Sequence, residues 1–179
     1  MAPKAKNFIN DIKPWKTEWC INVKAVHSWR QQTKFGGDSL EMILADETVS
    51  ILNIIINIIC IVSVCNNISS FFFQGAKIHA SCKQGFVPKV QRDFPINQWR
   101  VIDTFFVSPA KGHYRTTAHP YRISITNDTS FSSSDVKIDN LFLSLASFKS
   151  ISSGDLDPDF LIGKISYFIC LLLTYNCIL

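Results

Sequence analysis

The sequence lacks most of what an enzyme would show. It holds no nucleophile–base pair, no paired-carboxylate site and no glycine-rich phosphate loop, and it therefore reads as non-enzymatic. No CxxC or Cys/His cluster has zinc spacing, so neither a metal nor any other cofactor is expected. Asp155-Leu156-Asp157-Pro158-Asp159 lacks the turn glycine and distal glutamate of a calcium loop. The N-terminus, Met1-Ala2-Pro3-Lys4-Ala5-Lys6, lacks the apolar core of a signal peptide. Of six cysteines, Cys60, Cys65, Cys170 and Cys177 fall in two apolar segments foreign to the rest, leaving only Cys20 and Cys82. That is no disulfide framework, and a reducing intracellular compartment is expected. The sequons at Asn67 and Asn127 would matter only in a secreted chain.

What is present is charge with a pattern. The net charge is +4, and between Glu18 and Asn127, setting Val49–Gln74 aside, Lys and Arg outnumber Asp and Glu by eleven to seven. From Asp128 to Ile162 the balance reverses, with six Asp against Lys137 and Lys149. A basic module followed by an acidic stretch points to an anionic partner for the first part only.

Residues 1–17 are polar and basic and read as a loose arm. Trp19–Trp29 alternates as a strand, with Ile21, Val23 and Ala25 on one face and Asn22 and Lys24 on the other. Leu40–Asp46 is a second strand and Gly75–Cys82 a third, with Ile78, Ala80 and Cys82 inward. Phe86, Val90 and Phe94 recur at helical spacing, and Pro88 suits a first turn. Trp99–Val107 and Pro120–Thr126 are strands rich in β-branched and aromatic residues, joined by a loop holding Lys111, His113, Tyr114, Arg115 and His119. Five strands with a short helix between the third and fourth is the order of an all-β OB-fold barrel. Cations and flat rings on one loop suit a nucleic acid, with charge for phosphates and π-faces for bases, although a solvated hairpin tip carries the same residues.

Between the second and third strands the composition changes abruptly. Val49–Phe73 carries no charge and is built mainly from Ile, Asn, Ser, Phe, Val and Cys. A transmembrane helix is one account, but the dense run Ile51–Val64 falls short of the ~20 residues that span a bilayer. A core helix is another, but nothing gives it a wet face. The third account is a retained intron: Val49-Ser50 can be encoded as GTAAGT, a splice donor, and Phe71-Phe72-Phe73-Gln74 as a T-run ending in CAG, a splice acceptor. Without Val49–Gln74, Asp46-Glu47-Thr48 would join Gly75-Ala76-Lys77 as a compact hairpin turn. Residues 163–179 have the same AT-rich character and read as an intron-derived tail, with a membrane anchor as the rival.

Trp29-Arg30, Leu40–Glu47, Lys77-Ile78-His79-Ala80 and Tyr114-Arg115 with His119-Pro120-Tyr121 resemble the plant branch of replication protein A large-subunit-like proteins, in their N-terminal OB-fold domain. The resemblance covers roughly Trp19–Asn127 without the apolar stretch. Phe142–Phe148 with Ser153–Leu156 looks like the opening of the family's next OB domain, cut short, so 128–162 is expected to be an acidic linker and that opening. These residues show no resemblance to the family's C-terminal zinc-bearing domain, so the resemblance carries over no metal.

The resemblance implies a nuclear module that binds single-stranded DNA, or RNA, with little sequence preference, alongside other replication protein A subunits. The strand would cross the second and third β-strands between the loops Gln31–Asp38 and Ser108–Ala118. Trp29, Phe35, His113 and Tyr114 are the candidate stacking platforms, and Arg30, Lys34, Lys77, Lys111, Arg115 and Arg122 the candidate phosphate contacts. Trp29 and Tyr114 fit rim packing as well as stacking, while His79 and His119 read as structural. Two other readings stand beside this one: a membrane-anchored protein with a small β domain, and an OB module used for protein–protein contact.

Overall fold

A computed structural model describes residues 5–16, 18–32, 36–48, 75–111, 115–138, 142 and 152–154. The apolar stretch 49–74 and the tail 163–179 lie outside them. Among the described residues, no helix is long and apolar enough to cross a membrane.

The chain forms strands β1 (Cys20–Gln32), β2 (Asp38–Ala45) and β3 (Lys77–Lys83), then helix α1 (Val87–Asp93). Strands β4 (Trp99–Asp103), β5 (Phe106–Pro109), β6 (Tyr121–Ile125) and β7 (Ser130–Ser133) follow. They make one sheet in the order β5-β6-β3-β2-β1-β4-β7, in which β3 and β6 run parallel. The expected five strands are therefore seven. One added strand comes from the expected fourth, Trp99–Val107, which breaks at Thr104, a non-glycine residue with φ of 60°. Its first half pairs with β1 and its second with β6. Two distant members of the sheet are thus halves of one segment, and the sheet curls toward a barrel. The other added strand is β7, whose Ser-Phe-Ser-Ser sequence carries little strand signal but pairs antiparallel with β4.

The interior is built from the residues whose alternation points them in: Ile21, Val23, Met42, Leu44, Ile78, Ala80, Ile102 and Ile123, all at most 2% exposed. Val87, Val90 and Phe94 of the α1 region join the same core, and Pro88 lies in the first turn, where its missing N–H costs nothing. Burial pushes the Cys82 thiol up to about 11, with the negative charge of Glu41 adding to it.

Three expectations are corrected. Residues 7–12 of the basic arm are docked: Asn7 N–H donates to Cys20 O, and a 3-10 turn at Ile9–Asp11 places Ile9 and Ile12 in the core at 0% and 1% exposure. Two isoleucines three apart on one turn outweigh the surrounding polar residues. Asn22 and Lys24, expected on the open face, are 5% and 4% exposed. The cause is a second apolar cluster on that face, where Phe142 meets Trp99 edge-on at 5.9 Å and Val26 and Val136 pack alongside. Trp99 Nε1–H also donates to Ile138 O. Residues 130–138 and 142, expected as linker and next-domain opening, therefore pack on this barrel.

Candidate nucleic-acid interface

The outward face of β1-β2-β3-β6-β5 is set by a bulge. The β1–β2 register slips between Ala25 and His27, leaving Val26 as an extra residue. Such a bulge reverses which side chains face out. Unbroken alternation from Ile21, Val23 and Ala25 would have turned His27 and Trp29 inward; the bulge turns them outward and Arg30 to the opposite side.

The pairings then define rows across the outer face. Trp29 lies opposite Glu41, Glu41 opposite Ser81, Ser81 opposite Ser124, and Ser124 opposite Phe106. Beside it runs His27–Ile43–His79–Arg122–Ser108, and toward the β1–β2 loop Gln31–Ser39–Lys83. The Trp29 ring has two imidazoles beside it in offset, near-parallel arrangement: His27 at 5.9 Å and 28°, His79 at 5.7 Å and 15°. At ~4.8 Å per strand, Phe106 stands about 19 Å from Trp29 around the curved sheet. It is 59% exposed. The face thus carries rings at both sides, with Arg122 and Lys77 toward one end and Lys83 at the other.

Beneath the rings lies one acid. Glu41 is 6% exposed, accepts from Ser39 Oγ at 2.7 Å, and places Oε2 2.7 Å from His79 Nε2. That ring nitrogen has no better-directed hydrogen-bond partner among the described residues, so the contact is one of charge more than of alignment. Burial by itself would raise the Glu41 carboxyl, but the close contact with His79, the hydrogen bond from Ser39 and the charges of His79 and Arg122 outweigh it and hold the group below its ordinary 4.5. A depressed folded pKa adds stability above the unfolded value and loses it as pH falls through the folded one. Thermal melts of Glu41→Gln and the parent should therefore differ most above the ordinary carboxyl value of 4.5 and converge as pH falls well below it. A gap that stays constant across that range would remove the ion pair from the account.

The expected site residues are divided. Trp29, Lys77 and Arg122 share the outer face, and exposed Lys111 lies in the β5–β6 loop. Burial pushes the half-buried Lys77 ammonium below its ordinary value. Arg115 is partly buried and donates to His119 O at 3.2 Å. Arg30 faces away from Trp29, lining a depression of about 310 Å³ with Asp38, Gln84, Val87, Pro88 and Gln91. Lys34, Phe35, His113 and Tyr114 lie outside the described residues.

The remaining cations are mostly at work in the fold. Lys89 Nζ donates to Asn127 O and Thr129 O, and Arg100 donates to Asp93 O, Trp99 O and the Gln98 side chain. His119 bridges two segments: Nδ1 accepts from Tyr121 N–H, and Nε2 lies 3.1 Å from Ile9 O, which a proton on Nε2 satisfies. The sequence reading passed over Lys83, His27 and Phe106. For Lys83 the signal was present, since it continues the outward set Lys77, His79, Ser81. For His27 and Phe106 it was hidden by the breaks in phase at Val26 and Thr104. Among the described residues, no cluster of His, Cys, Asp and Glu could hold a metal ion.

The chain matches, over residues 10–70 and 73–154, the profile of a family described as a domain of unknown function, DUF223. It belongs to the DUF223 family. No curated protein matches this DUF223 chain at a significant level. Among solved structures it is similar to a chain of a replication protein A heterotrimer bound to single-stranded DNA, with 13% identity and a TM-score of 0.52, covering 81% of this chain. It spans only 29% of that chain's length. DNA-binding domain A of S. cerevisiae replication protein A is similar at 14% identity and TM-score 0.48, covering 75% of this chain and 99% of its own. Schizosaccharomyces pombe Pot1pC bound to single-stranded DNA is similar at 9% and 0.45, covering 77% and 92%. At such identities the likeness to the heterotrimer chain is one of fold: the curled sheet of this DUF223 chain is of the OB type.

Proposed function

We propose that this DUF223 chain is a single-stranded nucleic-acid-binding module of a replication protein A-like subunit. It would act in the nucleus in DNA replication, repair or recombination, without catalysis of its own, and with other replication protein A subunits as partners. The observation that carries the reading is the outer face itself, where Trp29 lies beside two imidazoles and cations lie toward both ends. Rings stack on bases without regard to sequence, and Arg122, Lys77 and Lys83 supply the charge that a phosphate backbone requires.

Oligo-dT should bind with micromolar or weaker affinity, and log K should fall with log salt at about −0.7 per phosphate contact. Trp29→Ala and Phe106→Ala should each weaken binding by about 1–3 kcal/mol. Phe106 is 59% exposed, so its loss should leave the melting temperature alone, whereas Trp29 needs a melt run beside the titration. Binding that is absent at low salt, or indifferent to salt, would sink the proposal.

A further inference from the structure

The docked N-terminal segment carries a feature that the barrel does not account for. Trp15 is 88% exposed, the most exposed large apolar side chain among the described residues. Water is a poor environment for an indole, and an isolated ring on a loose arm would need no explanation. This ring is not on a loose arm. Ile12 on one side and Trp19 on the other are 1% and 8% exposed. Trp19 Nε1–H donates to Lys13 O at 3.1 Å, and Lys16 Nζ sits 4.7 Å over the Trp19 ring. Pro14 fixes the backbone immediately before Trp15. The segment is thus held at both ends, with Trp15 turned out into water between two exposed lysines, Lys13 and Lys16.

The location matters as much as the exposure. Ile9 N–H donates to Asp46 Oδ2 at 2.8 Å, and Ile9 O lies 3.1 Å from His119 Nε2. Lys13 and Lys16 lie against Trp19 just before β1, where Trp19 O accepts from Thr104 N–H, while Ile9 sits at the end of the barrel where β2 leaves, β3 begins and the β5–β6 loop returns. Lys77 at the start of β3 and Arg122 at the start of β6 belong to that same end. From residue 5 to 16 the charges are Lys6, Lys13 and Lys16 against Asp11 alone. A flat ring between cations, on a segment whose Ile9 is anchored at the cationic end of a ring-bearing face, is complementary to a strand of bases and phosphates.

We propose that Trp15, with Lys13 and Lys16, is a second contact for the same nucleic-acid strand, extending its footprint beyond the sheet. This rests on the reading of the sheet as a single-strand platform. Because its anchors are already formed, the contact orders little chain on binding, which favours affinity.

The test uses the full chain and labelled oligo-dT of two lengths, about 8 nucleotides, within the footprint of one OB fold, and about 24. Trp15→Ala should weaken binding of the longer strand about tenfold and leave the shorter one within about twofold, and Trp15→Phe should restore most of the loss. The melting temperature should not move, since an exposed ring contributes little to the fold. If the parent binds both lengths and Trp15→Ala binds them equally well, the inference is overturned while the sheet reading survives; a ring that serves a protein partner gives that outcome. Equal losses on both lengths would also overturn it, by placing the effect in the shared groove or in the fold. If the parent binds neither length, both readings fall together.

Discussion

Asp46→Ala should lower stability by about 3–5 kcal/mol, a larger effect than any other single substitution considered for this domain. The side chain is 1% exposed and its carboxylate accepts from three backbone N–H groups: Ile9 at 2.8 Å, Thr48 at 3.0 Å and Ala76 at 3.1 Å. Its own N–H donates to Ala76 O at 3.1 Å. One residue therefore ties the N-terminal segment to the root of the β2–β3 hairpin. Alanine would strand buried or half-buried donors, each costing about 1–3 kcal/mol, with some relief where water can enter. At ~2–4 °C per kcal/mol the melting temperature should fall by about 6–20 °C. Asp46→Asn keeps one acceptor oxygen and should recover part of the loss. A shift under about 2 °C for Asp46→Ala would show that the three contacts carry little.

Why such a residue escaped the sequence reading is a matter of range. Asp46 looked like the end of a strand, because Asp-Glu-Thr is turn composition, and its partner at Ile9 lies 37 positions away. Local patterns do carry the inward faces of β2, β3 and β6, where one side of a regular strand is buried and period two is kept. They also carry α1, whose apolar residues recur at helical spacing. They fail where the chain breaks its own period, at Val26 and Thr104. Those two breaks decide that Trp29 and Phe106 face outward, so the part of the candidate site most dependent on aim was the least legible. The docking of residues 5–16, 130–138 and 142 was hidden for another reason. Each segment holds only a few apolar side chains among polar ones, and Ile9, Ile12, Val136 and Phe142 gain burial only once the barrel exists to receive them.

The hairpin root also frames the expectation for the apolar stretch. Ala45 pairs with Lys77, and Asp46 pairs with Ala76 through both its main chain and its side chain, so the hairpin is closed on the barrel side of residue 49. The family match runs on through 49–70 and is interrupted only at 71–72. Joining Thr48 directly to Gly75 would leave Glu47, Thr48 and Gly75 between the closing pair. That is a three-residue hairpin loop with glycine at its end, a common solution. Gly75 also suits the position by size, because a Cβ there would meet Asp46 O and, at 2.9 Å, the Phe142 ring. Deleting Val49–Gln74 should therefore preserve the β-sheet circular dichroism and the salt-dependent oligo-dT binding, and should raise soluble yield in bacteria severalfold. Loop entropy contributes little to that gain, since each doubling of loop length costs only ~0.6 kcal/mol. The gain comes from surface: Ile51–Val64 is a long uncharged run rich in β-branched residues, with neither Pro nor charge to block intermolecular pairing. Two results would overturn this. One is a deletion variant that loses the sheet signal, which would make the stretch part of the fold. The other is a full chain that stays in membranes through a carbonate wash and is recovered folded in detergent, which would make the stretch an anchor.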